Sequence, residues 1–328
     1  MLKFLKWTLI FFGIFLLLYL LVAFMSASTV DKSEYEEILQ YTDSSIESDS
    51  TISVMTFNVG YLSGMTNNLS IKREPGFFDA NLQKIVQLVQ ELAPDLVGLQ
   101  EVDFDASRSF EVNQMDTIAI EGAFASGYKS VNWDKRYVPF PYWPPSNHFG
   151  RILSGQAILS RYPIRSGQTE VLASNESTPA YYRAFYIERL LQIAEVEYSG
   201  QTIIVMNVHL EAFDYETRVE QARTVKAAYE SYASQFPVLL IGDFNSFVPE
   251  LTEQEDAIEL LMKAKWMASA VPFEKHKENY TYSSVEPVRM IDYILYNENF
   301  LTSTAARGLT EVGQVSDHLP LMAEFDFK

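Results

Sequence analysis

The chain has 328 residues, of which 48% are hydrophobic and 14% aromatic, so it carries enough apolar material for one large core or two modest ones. Its formal net charge of −18 disfavours non-specific binding of nucleic acid, which depends on surfaces rich in Lys and Arg. The absence of cysteine excludes disulfide bonds, thiolate zinc sites and a cysteine nucleophile.

Residues 1–30 have the pattern of a signal anchor. Lys3 and Lys6 precede an uncharged apolar run, and residues 8–25 as a helix would span about 27 Å, close to the hydrocarbon thickness of a bilayer. The run is longer than the apolar part of most cleaved signal peptides, which favours an uncleaved anchor; the "SAS" after it keeps cleavage and secretion as the alternative. Because the lysines precede the span, the remaining chain is predicted to lie on the extracytoplasmic side.

The predicted elements begin after a Ser-rich, acidic stretch at residues 31–50, which we interpret as a linker, so that residues 51–328 form one domain. "TISVMTFNV" (51–59) is a predicted strand. "FDANLQKIVQLVQELAPD" (78–95) is a predicted helix, because its apolar residues recur at helical spacing, with Asp79 as the cap and Pro94 just beyond the end.

The rest of the chain alternates between the two kinds of element. A helix is predicted near residues 113–124, and another in "YETRVEQARTVKAAYESYAS" with Asp214 as its cap. A Ser199-Gly200 turn joins two of the later strands. The remaining predicted strands are "DLVGLQ" (95–100), "GQAILS" (155–160), "YYRAFYIERLLQIAEVEY" (181–198), "QTIIVMNVHL" (201–210), "PVLLIG" (237–242), "MIDYILYN" (290–297) and "LPLMAEFDF" (319–327). This mixture indicates an α/β layered sandwich in a single domain.

Polar side chains collect where these predicted strands end. They are Asn58, Glu101, His209, Asp243, Asn245, Asp292, Asp317 and His318. Each taken alone has an ordinary structural explanation as a turn residue, a solvated carboxylate or a hydrogen-bonded core histidine. Asp292 is the hardest to explain in that way, because a carboxylate among apolar neighbours is costly to bury without a partner such as a histidine ring. Taken together, carboxylates, imidazoles and carboxamides at one rim of a sheet suit metal-assisted attack on a phosphorus ester.

In its order of motifs, the chain resembles the exonuclease–endonuclease–phosphatase superfamily, which includes nucleases, inositol polyphosphate 5-phosphatases and neutral sphingomyelinases. The matching blocks run from about Ser53 to Phe327: "TFNV", "LVGLQEV", "GQAILSRYPI", "VMNVHLE", "LIGDFNS", "MIDYIL" and "SDHLPL". The resemblance implies a four-layered α/β/β/α sandwich of two mixed, largely antiparallel sheets. It also implies a metal-dependent hydrolase of phosphoric esters.

The resemblance assigns a metal role to three of the residues. Glu101 corresponds to the principal Mg²⁺ ligand, Asn58 would help to place the metal and the phosphate, and Asp317 would support the metal or the water. Mn²⁺ is the alternative cation.

The other five residues receive catalytic roles from the same resemblance. His209 would donate to a phosphoryl oxygen, Asp243 would orient or deprotonate the attacking water, and Asn245 would contact the phosphorus centre. His318 would act as an acid/base or as a charged stabiliser, with Asp292 holding its ring.

A loop at residues 137–151, "YVPFPYWPPSNHFGR", places aromatic residues between prolines. It is either a stiff loop whose rings pack on the body or an exposed lip that contacts a lipid surface, where such rings are favoured. His148 and Arg151 are candidate phosphate contacts in this loop. Arg183 is a further substrate-binding candidate; Arg189 is another, and both fit equally well as surface residues of a strand.

The sequence therefore predicts a membrane-anchored, Mg²⁺-dependent phosphodiesterase or phosphatase, acting on a phospholipid-like or other small phosphate ester. The alternative is an extracytoplasmic endonuclease or exonuclease that acts on DNA or RNA, which the acidic charge disfavours. A non-enzymatic binding module on the same fold is disfavoured further, because the acidic and imidazole residues of the motifs are all retained. The sequence indicates no obligate protein partner.

Overall fold

The computed structural model describes residues 1–42, 50–67, 69–247 and 256–328. Its helices are α1 (Leu2–Ser26), α2 (Pro75–Leu92), α3 (Gln114–Glu121), α4 (Ala180–Arg183), α5 (Tyr215–Tyr232) and α6 (Ala257–Leu261). Its strands are β1 (Glu36–Gln40), β2 (Thr51–Asn58), β3 (Leu96–Asp103), β4 (Ser126–Val138), β5 (Gly150–Ser160), β6 (Ile164–Val171), β7 (Leu190–Tyr198), β8 (Gln201–His209), β9 (Val238–Asp243), β10 (Met267–Ser269), β11 (Asp292–Asn297), β12 (Leu301–Gly308) and β13 (Leu321–Phe327).

The strands form two sheets. One has seven strands in the order β1-β4-β5-β3-β2-β13-β12, and the other has six in the order β10-β11-β9-β8-β7-β6. Each sheet contains one parallel pair, β2–β3 in the first and β8–β9 in the second, and its other pairs are antiparallel. The two sheets are thus mixed and largely antiparallel, as predicted.

Helices cover the sheets from both sides. α2 and α3 pack on the seven-stranded sheet through buried residues such as Ile85 and Ile118. α5 packs on the six-stranded sheet through Val225 and Tyr229, whose cluster also contains the core between the sheets. The predicted four-layered α/β/β/α sandwich is confirmed.

The two sheets approach each other closely behind the ends of their parallel strands. A Cβ on Gly98 would lie 2.6 Å from Cδ1 of Ile241, so any larger residue there would force the Ile241 side chain to move. Next to it, Nε2 of Gln100 donates to Oδ1 of Asn207 (2.6 Å), and Nδ2 of Asn207 donates to Gln192 (2.8 Å). The Gln100–Asn207 bond crosses the interface between the sheets, and the Asn207–Gln192 bond holds the Asn207 amide in place within its own sheet.

The predicted linker over residues 31–50 is wrong for residues 36–40. These residues form β1, which pairs with β4 along the edge of the seven-stranded sheet, with Leu39 and Tyr41 packed against the helix-side core. The strand was missed because acidic residues dominate the composition of this segment and only these two apolar side chains pack on the core. Residues 43–49 of the predicted linker lie outside the described residues.

Two further boundaries differ from the prediction. α2 begins at Pro75 instead of after Asp79, because proline is well suited to the first turn of a helix. The strand expected over 181–198 forms only from Leu190 onward, and α4 precedes it. By contrast, α5 begins as predicted at its Asp214 cap, whose Oδ2 accepts a hydrogen bond from the Thr217 amide at 2.9 Å.

Candidate active site

The strand register brings the polar residues of three neighbouring strands together. His209 ends β8, Asp243 ends β9 and Asp292 begins β11; Asp243 lies opposite both of the other two in the pairing. Gly242 makes this alignment feasible, since it has φ +142° and a Cβ there would lie 2.0 Å from the Val208 carbonyl oxygen. Only glycine allows β9 to approach β8 so closely at this point.

Glu101 reaches the same rim from the other sheet through an irregularity in β3. The pairing of β3 with β5 shifts register between Leu99 and Val102, and Glu101 has φ +54°, a left-handed conformation that is uncommon outside glycine. The Nδ2 of Asn67 donates to Oε2 of Glu101 at 3.0 Å. The bulge therefore turns the Glu101 carboxylate into the cleft, and Asn67, which the sequence did not single out, holds it there.

Asp243 is the centre of the cluster and is only 1% exposed. Its Oδ2 accepts a hydrogen bond from Nδ2 of Asn58 (2.9 Å) and lies 3.4 Å from Nε2 of His209 and 3.7 Å from Nε2 of His318. Its Oδ1 accepts from the backbone N–H of Asn245 (2.9 Å), whose φ of +48° is tolerated by asparagine. Five of the predicted residues thus meet around one carboxylate.

The pKa values of the two histidines are shifted in opposite directions. Burial, reinforced by the positive charges of Arg189 and His318, holds the pKa of His209 well below its usual value. Burial alone would lower the pKa of His318 too, but the carboxylates of Asp292 and Asp243 outweigh it and hold that pKa well above the usual value. Nδ1 of His318 lies 2.9 Å from Oδ2 of the fully buried Asp292, the partnership that the sequence predicted.

The carboxylates have the properties expected of a site for a divalent cation. Burial, followed by the charge of Asp317, raises the pKa of Glu101 to about 7. Burial, with Asp292 adding to it, raises the pKa of Asp243 to about 6. Burial therefore outweighs the nearby positive charges of His318 and Arg189 at Glu101, and clustered oxygen donors of this kind suit Mg²⁺ or Mn²⁺.

Two of the three predicted ligands, Glu101 and Asp317, line the cleft. The third, Asn58, is buried beside Asp243, and its Oδ1 accepts one hydrogen bond from the Gly60 amide and keeps a second lone pair. Asp243, Asp292 and His318 also have ligand-type atoms within 4.8 Å of one another. Because the His318 ring is already hydrogen-bonded to Asp292, we interpret that group as a hydrogen-bonded unit and not as the metal site.

The cluster lies in a cleft of about 900 Å³. Polar groups occupy one part of its wall, and aromatic rings occupy much of the rest, among them Tyr61, Phe140, Tyr142, Tyr182 and Phe213. The cleft is thus large enough to receive a substrate beyond the reacting phosphate group.

Three of the four candidate substrate-binding residues do not line this cleft. Nδ1 of His148 lies 2.8 Å from Oη of Tyr137 within the aromatic loop. Arg151 is paired with Asp105. Arg183 is exposed on α4 and lines a neighbouring pocket of about 490 Å³.

Arg189, the fourth candidate, does line the cleft. Its side chain is 6% exposed, and its Nε lies 3.7 Å from Oε2 of Glu211. Neither Nε nor Nη1 has a hydrogen-bond partner in the described part of the chain. The available signal was its position directly before the apolar run of β7, where a charged side chain at a strand end can face a site.

Comparisons with known proteins agree with this arrangement. A family profile described as "Endonuclease/Exonuclease/phosphatase family" matches residues 55–318. No curated protein matches the sequence. Among solved structures, an endonuclease/exonuclease/phosphatase from Beutenbergia cavernae DSM 12333 is similar with a TM-score of 0.62 at 21% identity, covering 84% of this chain and 72% of that one.

Two further solved structures are similar to this protein over the full length of their own chains. The human Nocturnin catalytic domain has a TM-score of 0.58 at 17% identity and covers 92% of this chain. The Bacteroides thetaiotaomicron mannosyl-6-phosphatase Bt3783 has a TM-score of 0.56 at 17% identity and covers 84%. The profile match spans most of the folded body and contains both histidines of the cluster. The chain therefore belongs to the endonuclease/exonuclease/phosphatase family, whose members are metal-dependent hydrolases of phosphoric ester bonds.

Proposed function

We propose that the cleft hydrolyses a phosphate mono- or diester with Mg²⁺ bound by Glu101, Asn58 and Asp317, and with Mn²⁺ as the alternative cation. The observation that carries the proposal is the close approach of two histidines to one buried carboxylate: Nε2 of His209 and Nε2 of His318 lie 3.4 and 3.7 Å from Oδ2 of Asp243. When bound, the cation would neutralise charge on the phosphoryl oxygens and polarise the ester.

The protein groups divide the remaining tasks by their geometry. Asp243 accepts a proton from, or orients, the attacking water, because it is a carboxylate held by two hydrogen bonds and has a pKa raised toward neutrality. His318 carries a positive charge that stabilises the transition state, and Asp292 fixes its ring. Neutral His209 and the amide of Asn245 donate to the phosphoryl oxygens.

The location of the enzyme follows from α1. This helix contains an apolar span at Lys3–Ser26 with a mean hydropathy of 2.7, and it is long enough to cross a membrane. We propose that it anchors the protein with the catalytic body on the extracytoplasmic side, as the lysines at its start favour. A secreted body is the alternative if the segment is cleaved.

Metal removal tests the reaction. The full-length protein in detergent should hydrolyse 4-nitrophenyl phosphate or bis(4-nitrophenyl) phosphate, lose this activity in EDTA and regain it with Mg²⁺. Because Glu101→Gln removes a charged ligand, the Mg²⁺ concentration for half-maximal rate should rise on the order of tenfold or more. The measurement is a titration of initial rate against free Mg²⁺.

Glu197→Gln is the matched control for Glu101→Gln. Glu197 lies on β7 outside the cleft and forms an exposed pair with Arg165, so its Mg²⁺ titration should coincide with that of the wild type. Full activity in EDTA would contradict the proposed mechanism. An unchanged titration for Glu101→Gln would remove this residue from the metal site.

Arg189 and Arg183 offer a paired test of substrate binding. If the buried guanidinium of Arg189 binds the phosphate group, Arg189→Gln should lower kcat/KM roughly 10- to 100-fold, the range expected for loss of a charged hydrogen bond. Arg189→Lys should recover part of this loss. Arg183→Gln, on the exposed α4, should stay close to the wild type; the reverse ranking would restore the interpretation drawn from sequence.

A further inference from the structure

The segment between α1 and the catalytic body is fixed to β4. We call residues 27–40 the juxtamembrane clasp. At its start, the N–H of Arg136 donates to the carbonyl of Ala27 (2.9 Å); at its end, β1 pairs with β4 over five residues. Between them, the N–H of Val131 donates to the carbonyl of Tyr35 (2.8 Å). The body is therefore attached to α1 without a free linker.

Asp134 of β4 is the centre of the clasp and is 4% exposed. Its carboxylate accepts hydrogen bonds from the N–H and the hydroxyl of Thr29 (2.8 and 2.6 Å), from the N–H of Val30 (3.2 Å) and from the hydroxyl of Tyr35 (3.1 Å). Charge-assisted bonds of this kind are stronger than neutral ones. They hold the chain only three residues beyond the end of α1, so the orientation of the body relative to the helix is determined.

This orientation places the mouth of the cleft beside α1. Val22 of α1 lines the cleft, and it lies about 6 Å from the end of the helix at 1.5 Å per residue. Arg136 of β4 also contacts the helix, with its guanidinium 5.2 Å from the ring centre of Phe24. A helix that crosses a bilayer would therefore put the cleft mouth at the lipid headgroups.

Exposed aromatic rings surround that mouth. We define the aromatic rim as Tyr142, Trp143, Tyr181 and Phe213, which are 71%, 76%, 71% and 83% exposed. Three of the four line the cleft, and Trp143 is next to one that does. The loop at 137–151 packs partly on the body and is partly exposed: Phe140 and Phe149 pack inward, whereas Tyr142 and Trp143 face outward.

We propose that the substrate is an amphiphilic phosphate ester, a lipid whose phosphate enters the cleft while its apolar chain stays in the bilayer that holds α1. This inference rests on the proposed function and adds the class of substrate. Exposed Tyr and Trp favour the membrane–water boundary, and a wall shared between the cleft and an apolar helix gives an apolar chain a continuous path into the bilayer.

The surface charge separates this substrate from nucleic acid. With a net charge of −18, the protein repels a long polyphosphate backbone, whereas a single headgroup meets only the local charges of the cleft, which include Arg189. An aromatic rim would also contribute little to a small, freely soluble ester.

A pair of probes with the same reacting group tests the proposal. The full-length protein is reconstituted in phosphatidylcholine vesicles and given 4-methylumbelliferyl phosphate diesters with either a hexadecyl or an ethyl group, with Mg²⁺. A monoester pair, 6-hexadecanoylamino-4-methylumbelliferyl phosphate and its parent without the acyl chain, covers phosphatase activity. We expect kcat/KM to be at least about tenfold higher for the long-chain member, because the bilayer concentrates it at the cleft.

Variants connect this preference to the structure. Tyr142→Ser combined with Trp143→Ser removes part of the rim, and Asp134→Ala breaks the clasp; each should reduce the long-chain preference to below about threefold. Ile120→Ser is the control, because Ile120 is 64% exposed on α3 and does not line the cleft. It should leave both rates unchanged.

The outcomes separate the two proposals. Equal kcat/KM for the two members of each pair would overturn the lipid inference and leave the hydrolase standing. So would a preference that survives both the rim and the clasp variants, or faster cleavage of plasmid DNA than of any ester. Hydrolysis of none of the probes or DNA would overturn the proposed function as well.

Discussion

Asp243→Asn should reduce turnover by roughly 10²- to 10⁴-fold, the range for loss of a positioned general base. The carboxamide has the same shape as the carboxylate, but it cannot accept a proton from water near neutral pH. Stability should change little, because the variant loses the hydrogen bond from Asn58 yet no longer buries a charge next to Asp292. The measurements are kcat on an aryl phosphate ester and the thermal midpoint.

Asp95→Asn is the matched control for this variant. Asp95 is a half-buried, hydrogen-bonded aspartate that accepts from the amide and hydroxyl of Ser53 and from Tyr162, outside the cleft. It should lower the thermal midpoint while kcat is kept. If Asp243→Asn retained its turnover, or lost it only in proportion to unfolding, Asp243 would be a structural residue.

The second large effect is expected at the pair of His318 and Asp292. His318→Gln removes a buried positive charge and should lower kcat roughly 10²- to 10³-fold, as for the loss of one donor that stabilises transition-state charge. Asp292→Asn should lower kcat by a smaller factor, because it removes the group that fixes and charges the ring. If Asp292 acts through His318, the double variant should be no slower than His318→Gln alone.

His276→Gln controls for the loss of a buried imidazole. His276 is 8% exposed and contacts Phe273 and Tyr293 but does not line the cleft, so this variant should retain its kcat. Strictly additive effects of His318→Gln and Asp292→Asn on the activation free energy would argue against a shared role and would indicate that Asp292 contributes to turnover independently of His318. An unchanged kcat in Asp292→Asn with a lowered thermal midpoint would indicate that Asp292 contributes only to folding.

The site was predictable where its residues directly follow strongly apolar strands. Runs such as "VLLIG" identify a buried strand, and the polar residues that follow must then lie at its rim. A histidine partner for Asp292 was predictable because a buried carboxylate needs a partner, and the family resemblance then identified that histidine as His318. The bulge at Glu101 and its contact with Asn67 depend on the pairing of β3 with β5, which residue spacing does not encode.

Elements with polar surfaces escaped prediction for a related reason. β4 contains Lys129, Asp134 and Arg136, and these charges obscure its alternation although half of the strand is buried. The sequence could not separate Arg183 from Arg189 as substrate-binding candidates, because their positions depend on where β7 begins. The four-residue helix α4 before that strand leaves Arg183 exposed, whereas Arg189 lies at the rim directly before β7. The boundary between the two elements is set by tertiary packing.

The position of β1 has a practical consequence for the design of shorter chains. A fragment that starts at Thr51, the boundary indicated by composition, would strip the outermost strand from the sheet and leave the backbone N–H and C=O groups of β4 without partners. Bare strand edges of this kind promote self-association. A fragment that starts at Ala27 would omit the apolar helix and still cap that edge, so soluble material for crystallisation is better sought there.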